Sequence, residues 1–299
     1  FNECNFYKGR STNVVNMYNV FEYNNCEFVA DYHCDCADNG VVAAFNNCSY
    51  ADNSDITKIV RFDKDKTTCT ITFNGDTFVA EGLVQNNGTY RVLNAAGLNY
   101  FSNKSVADGT VIELIADIDF NGAEFKAIAA GYDKSLTFKG NNHTIKNVKI
   151  ATCSHNTVGA ASLFFCYTGG TINISDLVVE GATSEGATYA GAILGYTQGN
   201  ATLKNITIKD SQISGVKKIG GLVGFVEAST SSFIAENCHI VNTKVEATEK
   251  QAGTILGYNA KPATLKGCTV DALSTATAPA YCDGGVRCTD PAQAALTIE

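Results

Sequence analysis

Short segments in which apolar and polar residues alternate recur along most of this chain. A period of two residues is typical of a strand that buries one face and exposes the other. In the second half of the chain these segments return every 29 to 32 residues, counted between equivalent positions. We expect two residues of each segment to face the interior: Leu177 and Val179, Ile206 and Ile208, Cys238 and Ile240, Cys268 and Val270.

A glycine-rich hexapeptide repeats with a similar spacing. It reads Gly-Gly-Leu-Val-Gly-Phe at 220–225, and close variants stand at 191–196 and 253–258. A repeat of about 30 residues with two or three strands and no helix is typical of a solenoid, whose turns must stack to bury their apolar side chains. The pattern therefore predicts an all-β fold, a right-handed parallel β-helix. One short helix is predicted near residues 93–101.

The N-terminal part has a shorter repeat that carries cysteine. Cys4, Cys26 and Cys48 are 22 residues apart, each two positions before an aromatic residue, and Cys69 follows after 21 residues. Each cysteine then shares a strand face with the residue two positions on, so stacked copies predict internal ladders of free thiols and of rings, spaced by about 4.8 Å. Asparagine pairs before two of these strands are expected to form ladders at corners: Asn24-Asn25 and Asn46-Asn47.

The change of period divides the chain into three parts. Residues 1–84 are predicted to form an N-terminal β-helix segment with turns of about 22 residues, and residues 85–275 a β-helix with repeats of about 30. Residues 276–299 form a C-terminal tail or cap. This tail holds Cys282 and Cys288, which flank Asp-Gly-Gly-Val-Arg and are the best candidates for a disulfide in an oxidising compartment.

Three motifs, taken in order, resemble the GLUG-repeat β-helix proteins of bacterial surfaces. They are Ala-Asp-Ile-Asp-Phe at 116–120, Gly-Asn-Asn-His-Thr-Ile at 140–145, and the copies of Gly-Gly-Leu-Val-Gly-Phe. The resemblance covers about residues 90–272 and departs from the pattern at 160–170, where Ala-Ala-Ser-Leu-Phe-Phe replaces a glycine-rich copy. It implies a β-helix that serves as an adhesin-like surface protein, or as a non-catalytic repeat region of a secreted protease.

The charge balance narrows the range of partners. The formal net charge is −8, and the 22 Lys and Arg residues form no run. A phosphate-binding surface normally needs clustered basic side chains, so we expect neither nucleic acid nor an anionic membrane as a partner. No apolar run reaches the length of a membrane span, and the chain has no phosphate loop and no nucleophile elbow. We therefore expect no membrane insertion and no cofactor.

Candidate catalytic and metal-binding residues are few. Asp117 and Asp119 would point the same way on a regular strand, but a glycosidase needs two carboxylates across one cleft. We interpret this pair as part of a turn motif. His33, Cys34 and Cys36 could form a metal loop, although zinc needs a fourth ligand that the sequence does not offer nearby. We therefore predict no catalytic residue and no metal site.

The leading functional interpretation is a non-catalytic, adhesin-like or structural module that is secreted or exposed on a cell surface. Its partner would be a glycan or a protein on a host or neighbouring cell. Tyr189, Tyr196 and Tyr258, close to the glycine motifs, are the candidate platforms for sugar rings, unless these rings pack inside as part of the fold. One alternative is a polysaccharide-degrading or receptor-binding β-helix resembling a phage tail spike, in a virion fibre or spike. Another is a stalk whose partners are further β-helix turns of a longer chain.

Overall fold

The computed structural model describes residues 1–6, 14–17, 19–29, 32–36, 39–51, 55–62, 69–153, 159–230 and 232–299. Strands dominate it and the helices are short, so the predicted all-β class is confirmed. The chain forms two compact units, Phe1–Tyr100 and Phe101–Glu299. Within the described residues, no helix is long and apolar enough to cross a membrane.

Short strands make up most of the first unit. They are Asn5–Phe6 (β1), Val14–Met17 (β2), Val20–Asn24 (β3), Glu27–Phe28 (β4), His33–Cys36 (β5), Val42–Asn46 (β6), Ser49–Tyr50 (β7), Val60–Phe62 (β8), Thr70–Phe73 (β9), Asp76–Ala80 (β10), Leu83–Asn86 (β11) and Thr89–Val92 (β12), with a 3₁₀ helix at Ile56–Ile59 and an α-helix at Ala95–Asn99 (α1). The ladders β1-β4-β7, β2-β5-β8 and β3-β6-β9 are parallel. From β9 to β12 the strands instead form an antiparallel meander.

Aromatic rings stack in the interior of this unit because the strands that carry them pair in register. Tyr23 pairs with Phe45, and Phe45 with Phe73. Their ring centroids are 4.8 and 5.1 Å apart, with interplanar angles of 7° and 22°. Phe6 and Phe28 form a second stack at 4.7 Å. The Phe6–Phe28 stack belongs to the predicted ring ladder, whereas the stack of Tyr23, Phe45 and Phe73 is one that the cysteine repeat does not predict.

The predicted asparagine ladders are confirmed. Asn46 Nδ2 donates to Asn24 Oδ1 at 2.9 Å, and Asn47 Nδ2 donates to Asn25 Oδ1 at 2.8 Å. Asn25 and Asn47 have φ angles of 53° and 52°, in the left-handed region that asparagine visits more readily than most residues. Each side chain thus bonds its equivalent one repeat away and holds a sharp turn.

The predicted thiol ladder is correct for three of its four members. The pairing of β1, β4 and β7 sets Cys4, Cys26 and Cys48 side by side as free thiols. The prediction for Cys69 is wrong, because the strand that it precedes, β9, pairs with β6 and not with β7. Cys69 consequently lies beside Val41.

The predicted helix is present and shorter than the predicted segment. It covers Ala95–Asn99, within residues 93–101. Asn94 caps its first turn, since Asn94 Oδ1 accepts a hydrogen bond from the backbone N–H of Gly97 at 3.0 Å.

The second unit is built from parallel strands. They are Ser105–Val106 (β13), Thr110–Leu114 (β14), Ile118–Asp119 (β15), Glu124–Lys126 (β16), Ile128–Ala130 (β17), Ser135–Lys139 (β18), Thr144–Lys146 (β19), Lys149–Ala151 (β20), Ala160–Ala161 (β21), Phe164–Cys166 (β22), Thr171–Glu180 (β23), Thr183–Ala187 (β24), Tyr189–Ala190 (β25), Leu194–Thr197 (β26), Asn200–Lys209 (β27), Gln212–Gly220 (β28), Val223–Val226 (β29), Phe233–Glu236 (β30), His239–Val241 (β31), Lys244–Gly253 (β32), Leu256–Asn259 (β33), Ala263–Lys266 (β34), Thr269–Val270 (β35), Thr275–Thr277 (β36) and Leu296–Ile298 (β37).

These strands fall into three sheets. The first sheet contains β14, β15, β18, β19, β23, β27, β30, β31, β34, β35 and β37; the second contains β13, β17, β22, β26, β29 and β33; the third contains β16, β20, β21, β24, β25, β28, β32 and β36. Consecutive stretches of chain contribute to the three sheets in turn. Strands about 30 residues apart therefore become neighbours.

The interior of the second unit follows the predicted register. Leu177 pairs with Ile206, and Ile240 pairs with both Ile208 and Val270. Six of the eight side chains predicted to face inward are at most 1% exposed: Leu177, Val179, Ile206, Ile208, Cys238 and Ile240. The other two, Cys268 and Val270, are half-buried. Val270 belongs to β35, which pairs with β31, and the last strand of this sheet, β37, pairs with β34 and so does not cover β35.

The alanine-rich segment at 160–165 takes the place of a glycine motif in the second sheet. Phe164 pairs with Leu194, as Leu194 pairs with Val223. The spacing from Leu136 to its partner Ile172 is 36 residues, so the repeat is longest where the sequence departs from the motif.

Candidate functional site

The second sheet carries a row of aromatic side chains. Tyr196 pairs with Phe225, and Phe225 pairs with Tyr258, one residue after the closing glycine of each hexapeptide. Phe165 of the alanine-rich segment extends the row, with its ring 5.9 Å from that of Tyr196. The repeat thus delivers a ring at the same place in successive strands.

Neighbouring rings extend this row into what we call the aromatic strip: Tyr132, Phe165, Tyr167, Tyr189, Tyr196, Phe225 and Tyr258. Each ring lies in contact with at least one other ring of the strip. The centroid distances are 4.6 Å for Tyr132–Tyr167, 4.9 Å for Phe165–Tyr167, 5.6 Å for Tyr189–Tyr196, 5.3 Å for Tyr189–Phe225, 5.2 Å for Tyr196–Phe225 and 5.6 Å for Phe225–Tyr258.

The three tyrosines predicted as binding platforms therefore meet in one cluster, but they are not equally open. Tyr189 and Tyr258 are half-buried, whereas Tyr196 is only 7% exposed. Burial raises the pKa of the Tyr196 hydroxyl to about 12. For Tyr196 the burial matches the alternative given with the prediction, a ring packed inside as part of the fold, because Phe165, Tyr189 and Phe225 surround it.

The most open ring of the strip is one that the sequence analysis missed. Tyr132 is 64% exposed, and its ring lies 4.6 Å from that of the half-buried Tyr167 at an angle of 40°. Tyr132 lies in the turn between β17 and β18, outside the glycine motifs. The repeat therefore gave no signal for it.

Lys218 is a second residue that the sequence analysis missed. It stands beside Tyr189 on one side and Gln251 on the other, because Ile219 pairs with Ala190 and with Ala252. The φ angle of Lys218 is 56°. Its Nζ lies over three rings, at 3.4 Å from the centroid of Phe225, 4.6 Å from that of Tyr258 and 5.3 Å from that of Tyr189.

The charge of Lys218 is controlled by this environment. Burial lowers its pKa to about 8, and the positive charge of Lys217 acts in the same direction. The charges of Glu227 and Asp290 act in the opposite direction. Three aromatic faces also favour the ammonium form, since the face of a ring is negative. The ammonium group of Lys218 thus occupies the position over these rings at which the strip would bind a cation.

The carboxylates Asp117 and Asp119 serve the turns around them. Asp117 Oδ1 accepts from the backbone N–H of Thr144 at 2.9 Å, and Asp119 Oδ1 accepts from the backbone N–H of Asn121 at 2.8 Å and from Asn147 Nδ2 at 3.0 Å. These hydrogen bonds lower the pKa of both carboxyl groups. A general acid needs a raised pKa, so the pair is unsuited to protonating a leaving group.

The third sheet has a polar groove with a volume of about 260 Å³. It lies at a β-bulge in β24, where the pairing of β24 with β28 shifts in register between Ser184 and Ala187. Ser214 Oγ donates to the backbone oxygen of Ser184 at 2.5 Å across the bulge. Its lining offers amine, hydroxyl, carboxylate and amide groups: Lys149, Thr183, Ser184, Glu185, Gln212 and Ser214.

Metal and thiol chemistry is limited in the part of the chain that the structure describes. No group of three or more His, Cys, Asp or Glu side chains there could hold a metal ion. The side chain of Cys36, one member of the possible metal loop, lies outside the described residues. Cys282 and Cys288 are free thiols in this structure, and their disulfide stays a prediction for an oxidising compartment.

Comparison with known proteins gives little further guidance. No protein-family profile matches the chain, and no curated protein matches it. Among solved structures, the chain is similar to the crystal structure of a "putative immunoglobulin A1 protease" from Bacteroides ovatus, with 18% identity, 66% of this chain and 69% of that chain covered, and a TM-score of 0.40. A TM-score this low supports no argument about fold or activity. The resemblance to GLUG-repeat proteins stays a prediction.

Proposed function

We propose that this chain is a non-catalytic, adhesin-like module that binds glycans through its aromatic strip. Its architecture would be a right-handed parallel β-helix of the kind found in GLUG-repeat proteins. The observation that carries the proposal is the strip itself, in which seven rings of the second unit lie in contact and end in the exposed Tyr132, in the turn between β17 and β18.

The parallel β-helix is supported by the pairing of strands in the second unit. Neighbours in all three sheets come from stretches of chain about 30 residues apart, and their pairing is parallel. Parallel strands joined by crossovers are right-handed in nearly all proteins, which is the basis for the proposed hand.

The chemistry of sugar binding fits the open part of the strip. A pyranose presents a face of C–H groups that packs on an aromatic ring, and tyrosine adds a hydroxyl that can hydrogen-bond the sugar. Tyr132 offers most of its surface, and Tyr167 supports its ring. The half-buried rings of Tyr189 and Tyr258 lie further along the strip, so several weak contacts along one polysaccharide can add up by avidity.

A binding role is also favoured over catalysis by the state of the carboxylates. Asp117 and Asp119 accept hydrogen bonds from neighbouring turns, and their lowered pKa values suit structural anchors. We further propose that the module is secreted or displayed on a cell surface, where glycans of a host or neighbouring cell would be its partners.

Binding and degradation can be tested on the same set of polysaccharides. The full chain is applied to a glycan array, and each glycan is then assayed for release of reducing ends. We expect binding without release. Tyr132→Ala should weaken binding by roughly fivefold, because losing one stacked ring costs about 1 kcal/mol.

Two variants control this test. Tyr132→Phe keeps the ring face and should retain most of the binding, whereas Tyr281→Ala removes a ring that is 42% exposed but lies outside the strip and should change nothing. Equal binding by wild type and Tyr132→Ala would contradict the role of the strip. Release of oligosaccharide that Asp117→Asn abolishes without unfolding would instead establish a polysaccharide-degrading enzyme.

A further inference from the structure

The aromatic strip has a positive charge among its rings. Lys218 Nζ lies 3.4 Å from the ring centroid of Phe225, 4.6 Å from that of Tyr258 and 5.3 Å from that of Tyr189. Lys218, Tyr189 and Tyr258 are all half-buried, so each is partly open to solvent. A ligand that packs on either tyrosine therefore lies close to the ammonium group.

This ammonium group has no counter-ion in contact. Within the described ranges of the chain, Lys218 forms no ion pair, although the charges of Glu227 and Asp290 attract it from further away. Both carboxylates are hydrogen-bonded elsewhere. Glu227 Oε2 accepts from the backbone N–H and the Oγ of Ser229, at 2.8 and 2.6 Å, and Asp290 Oδ1 accepts from the backbone N–H of Ala292 at 2.9 Å. The charge of Lys218 is therefore available to a ligand.

Two further lysines stand beside Lys218. Lys217 precedes it in β28 and pairs with Lys250 of the neighbouring strand β32. Like charges directly opposite each other destabilise a sheet, so this pairing costs stability. Among the described residues neither lysine forms an ion pair, and the exposed Glu249 next to Lys250 forms none either. The strand register thus gathers three positive charges that the sequence shows only as the pair at 217–218.

Several other lysines of the second unit have carboxylate partners. The distances between Nζ and a carboxylate oxygen are 3.6 Å for Lys146–Asp117, 3.1 Å for Lys149–Glu124, 3.7 Å for Lys204–Glu236, 3.0 Å for Lys209–Glu180 and 2.9 Å for Lys244–Glu246. The lysines beside the aromatic strip depart from this arrangement, in a chain whose formal net charge is −8. Their charge is left without a close partner at the surface that we propose binds a ligand.

The arrangement of charge and rings selects the chemistry of that ligand. The face of an aromatic ring attracts cations, but here the ammonium group of Lys218 already occupies this position, so a cationic ligand would meet a like charge. An anionic group would instead accept a charge-assisted hydrogen bond from Lys218 Nζ, while the C–H face of the same sugar packs on Tyr189 or Tyr258.

We propose that the aromatic strip selects acidic glycans, whose sugars carry a carboxylate or a sulfate, and that Lys218 binds the anionic group. Lys217 and Lys250 add to the positive potential that attracts such a chain. This inference rests on the proposed glycan-binding function and names the class of glycan.

The test compares polysaccharides that differ in charge. The full chain is titrated with polygalacturonate and with its methyl ester, which keeps the sugar ring and removes the charge. Dextran sulfate and dextran form a second pair, so the two arms distinguish a carboxylate from a sulfate. We expect the acidic member of at least one pair to bind about tenfold more tightly than its neutral counterpart, as for one hydrogen bond to a charged group.

Variants assign this preference to the lysines. Lys218→Met keeps an unbranched apolar side chain over the rings and removes the charge, so it should weaken binding of the acidic polymer about tenfold and leave the neutral polymer unchanged. Lys218→Arg should keep the preference. Lys250→Gln changes an exposed position and should weaken acidic binding roughly threefold, which tests the cluster even if Lys218→Met does not fold. Lys204→Met, which removes a lysine of the first sheet, is the matched control and should change neither affinity.

The outcomes separate this inference from the glycan-binding function. Equal binding of acidic and neutral polymers, lowered alike by Tyr132→Ala, would overturn the acidic preference and keep the function. A preference that Lys218→Met and Lys250→Gln leave intact would overturn the role of the lysines. Binding to none of these polymers and to no glycan of the array would overturn the function, and this inference with it.

Discussion

At the scale of single residues, Lys218 experiences opposing effects on its charge. Burial lowers its pKa to about 8, because an ammonium loses hydration inside the cluster. The face of Phe225, with its centroid 3.4 Å from Nζ, attracts the same ammonium. The protonation of Lys218 near neutral pH therefore depends on the rings that surround it.

We expect Phe225→Leu to lower the pKa of Lys218 further. Leucine keeps most of the apolar burial but has no negative ring face, so the protonated amine loses stabilisation and the neutral form gains. The pH dependence of Lys218 acylation, followed by mass mapping, measures this change. Tyr167→Leu removes a ring of the strip that lies away from Nζ and should leave the profile unchanged. An unchanged profile in Phe225→Leu would show that the ring has no electrostatic effect.

The residues of the strip differ in how far the sequence can predict them. Tyr196 and Tyr258 directly follow the closing glycine of a hexapeptide, and Tyr189 stands two residues before the hexapeptide at 191–196. The spacing of the hexapeptides therefore predicts that these three residues lie close together. Their exposure does not, because it depends on packing by rings from other strands. Lys218 reaches the cluster from a left-handed backbone position, with a φ of 56°, that the hexapeptide pattern does not encode.

At the scale of elements, the closing glycines of the hexapeptides form a ladder that needs the absence of side chains. A Cβ added at Gly224 would lie 2.5 Å from the backbone oxygen of Gly195 and 2.6 Å from that of Ala190. At Gly257 it would lie 2.5 Å from the oxygen of Gly224. Backbone from the adjacent repeat thus approaches at each copy, which explains why glycine recurs there.

Gly224→Ala should therefore destabilise the second unit by about 3 kcal/mol, since the clashing atoms belong to paired strands that cannot move independently. The loss is measured as a shift in the urea unfolding midpoint. Gly131→Ala is the matched control, because its Cβ would meet side-chain atoms, Ser105 Oγ at 2.7 Å and Lys134 Cδ at 3.1 Å, that can rotate away. A loss in Gly131→Ala as large as that in Gly224→Ala would contradict this explanation.

The period of two and the repeat length predict where strands form and which of their residues face the interior. They predict less well which strands pair with each other. Leu177 and Ile206 pair as the spacing indicates, because one repeat of chain separates them. For Cys69 the same argument gives the wrong neighbour. Its spacing from Cys48 matches the thiol ladder, but the strand that follows it, β9, pairs with β6 in the ladder of β3 and β6. Spacing counts residues, whereas pairing depends on the path of the connection. The 3₁₀ helix at Ile56–Ile59 is part of that path.

At the scale of the whole molecule, hydrogen-bonded carboxylates recur at the turns of the second unit. Asp117 accepts from the backbone of Thr144, and Asp176 accepts from Asn205 Nδ2 at 2.7 Å. Each such bond joins turns about one repeat apart in sequence. Hydrogen bonds are the main cause of a lowered pKa in five carboxyl groups. Some of these bonds join neighbouring turns and others lie within one turn. The five groups are Asp108, Asp117, Asp119, Asp176 and Asp271.

These carboxylates predict loss of stability in acid. Their folded pKa values lie below the unfolded value of about 3.9, so the folded state binds fewer protons and its added stability is fully present above that pH. As the pH falls through the folded pKa values, the carboxylates take up protons and this stability is lost. We expect the free energy of unfolding, from urea titrations, to be nearly constant between about pH 7 and pH 5 and to fall steeply towards about pH 3.

Asp176→Asn keeps an oxygen acceptor for Asn205 but cannot titrate, so it should make the fall in the free energy of unfolding less steep. Glu185→Gln, at an exposed carboxylate of the β24 bulge, should leave the curve unchanged. An acid limb of the same slope in Asp176→Asn and the wild type would show that the hydrogen-bonded carboxylate at Asp176 does not contribute to acid sensitivity.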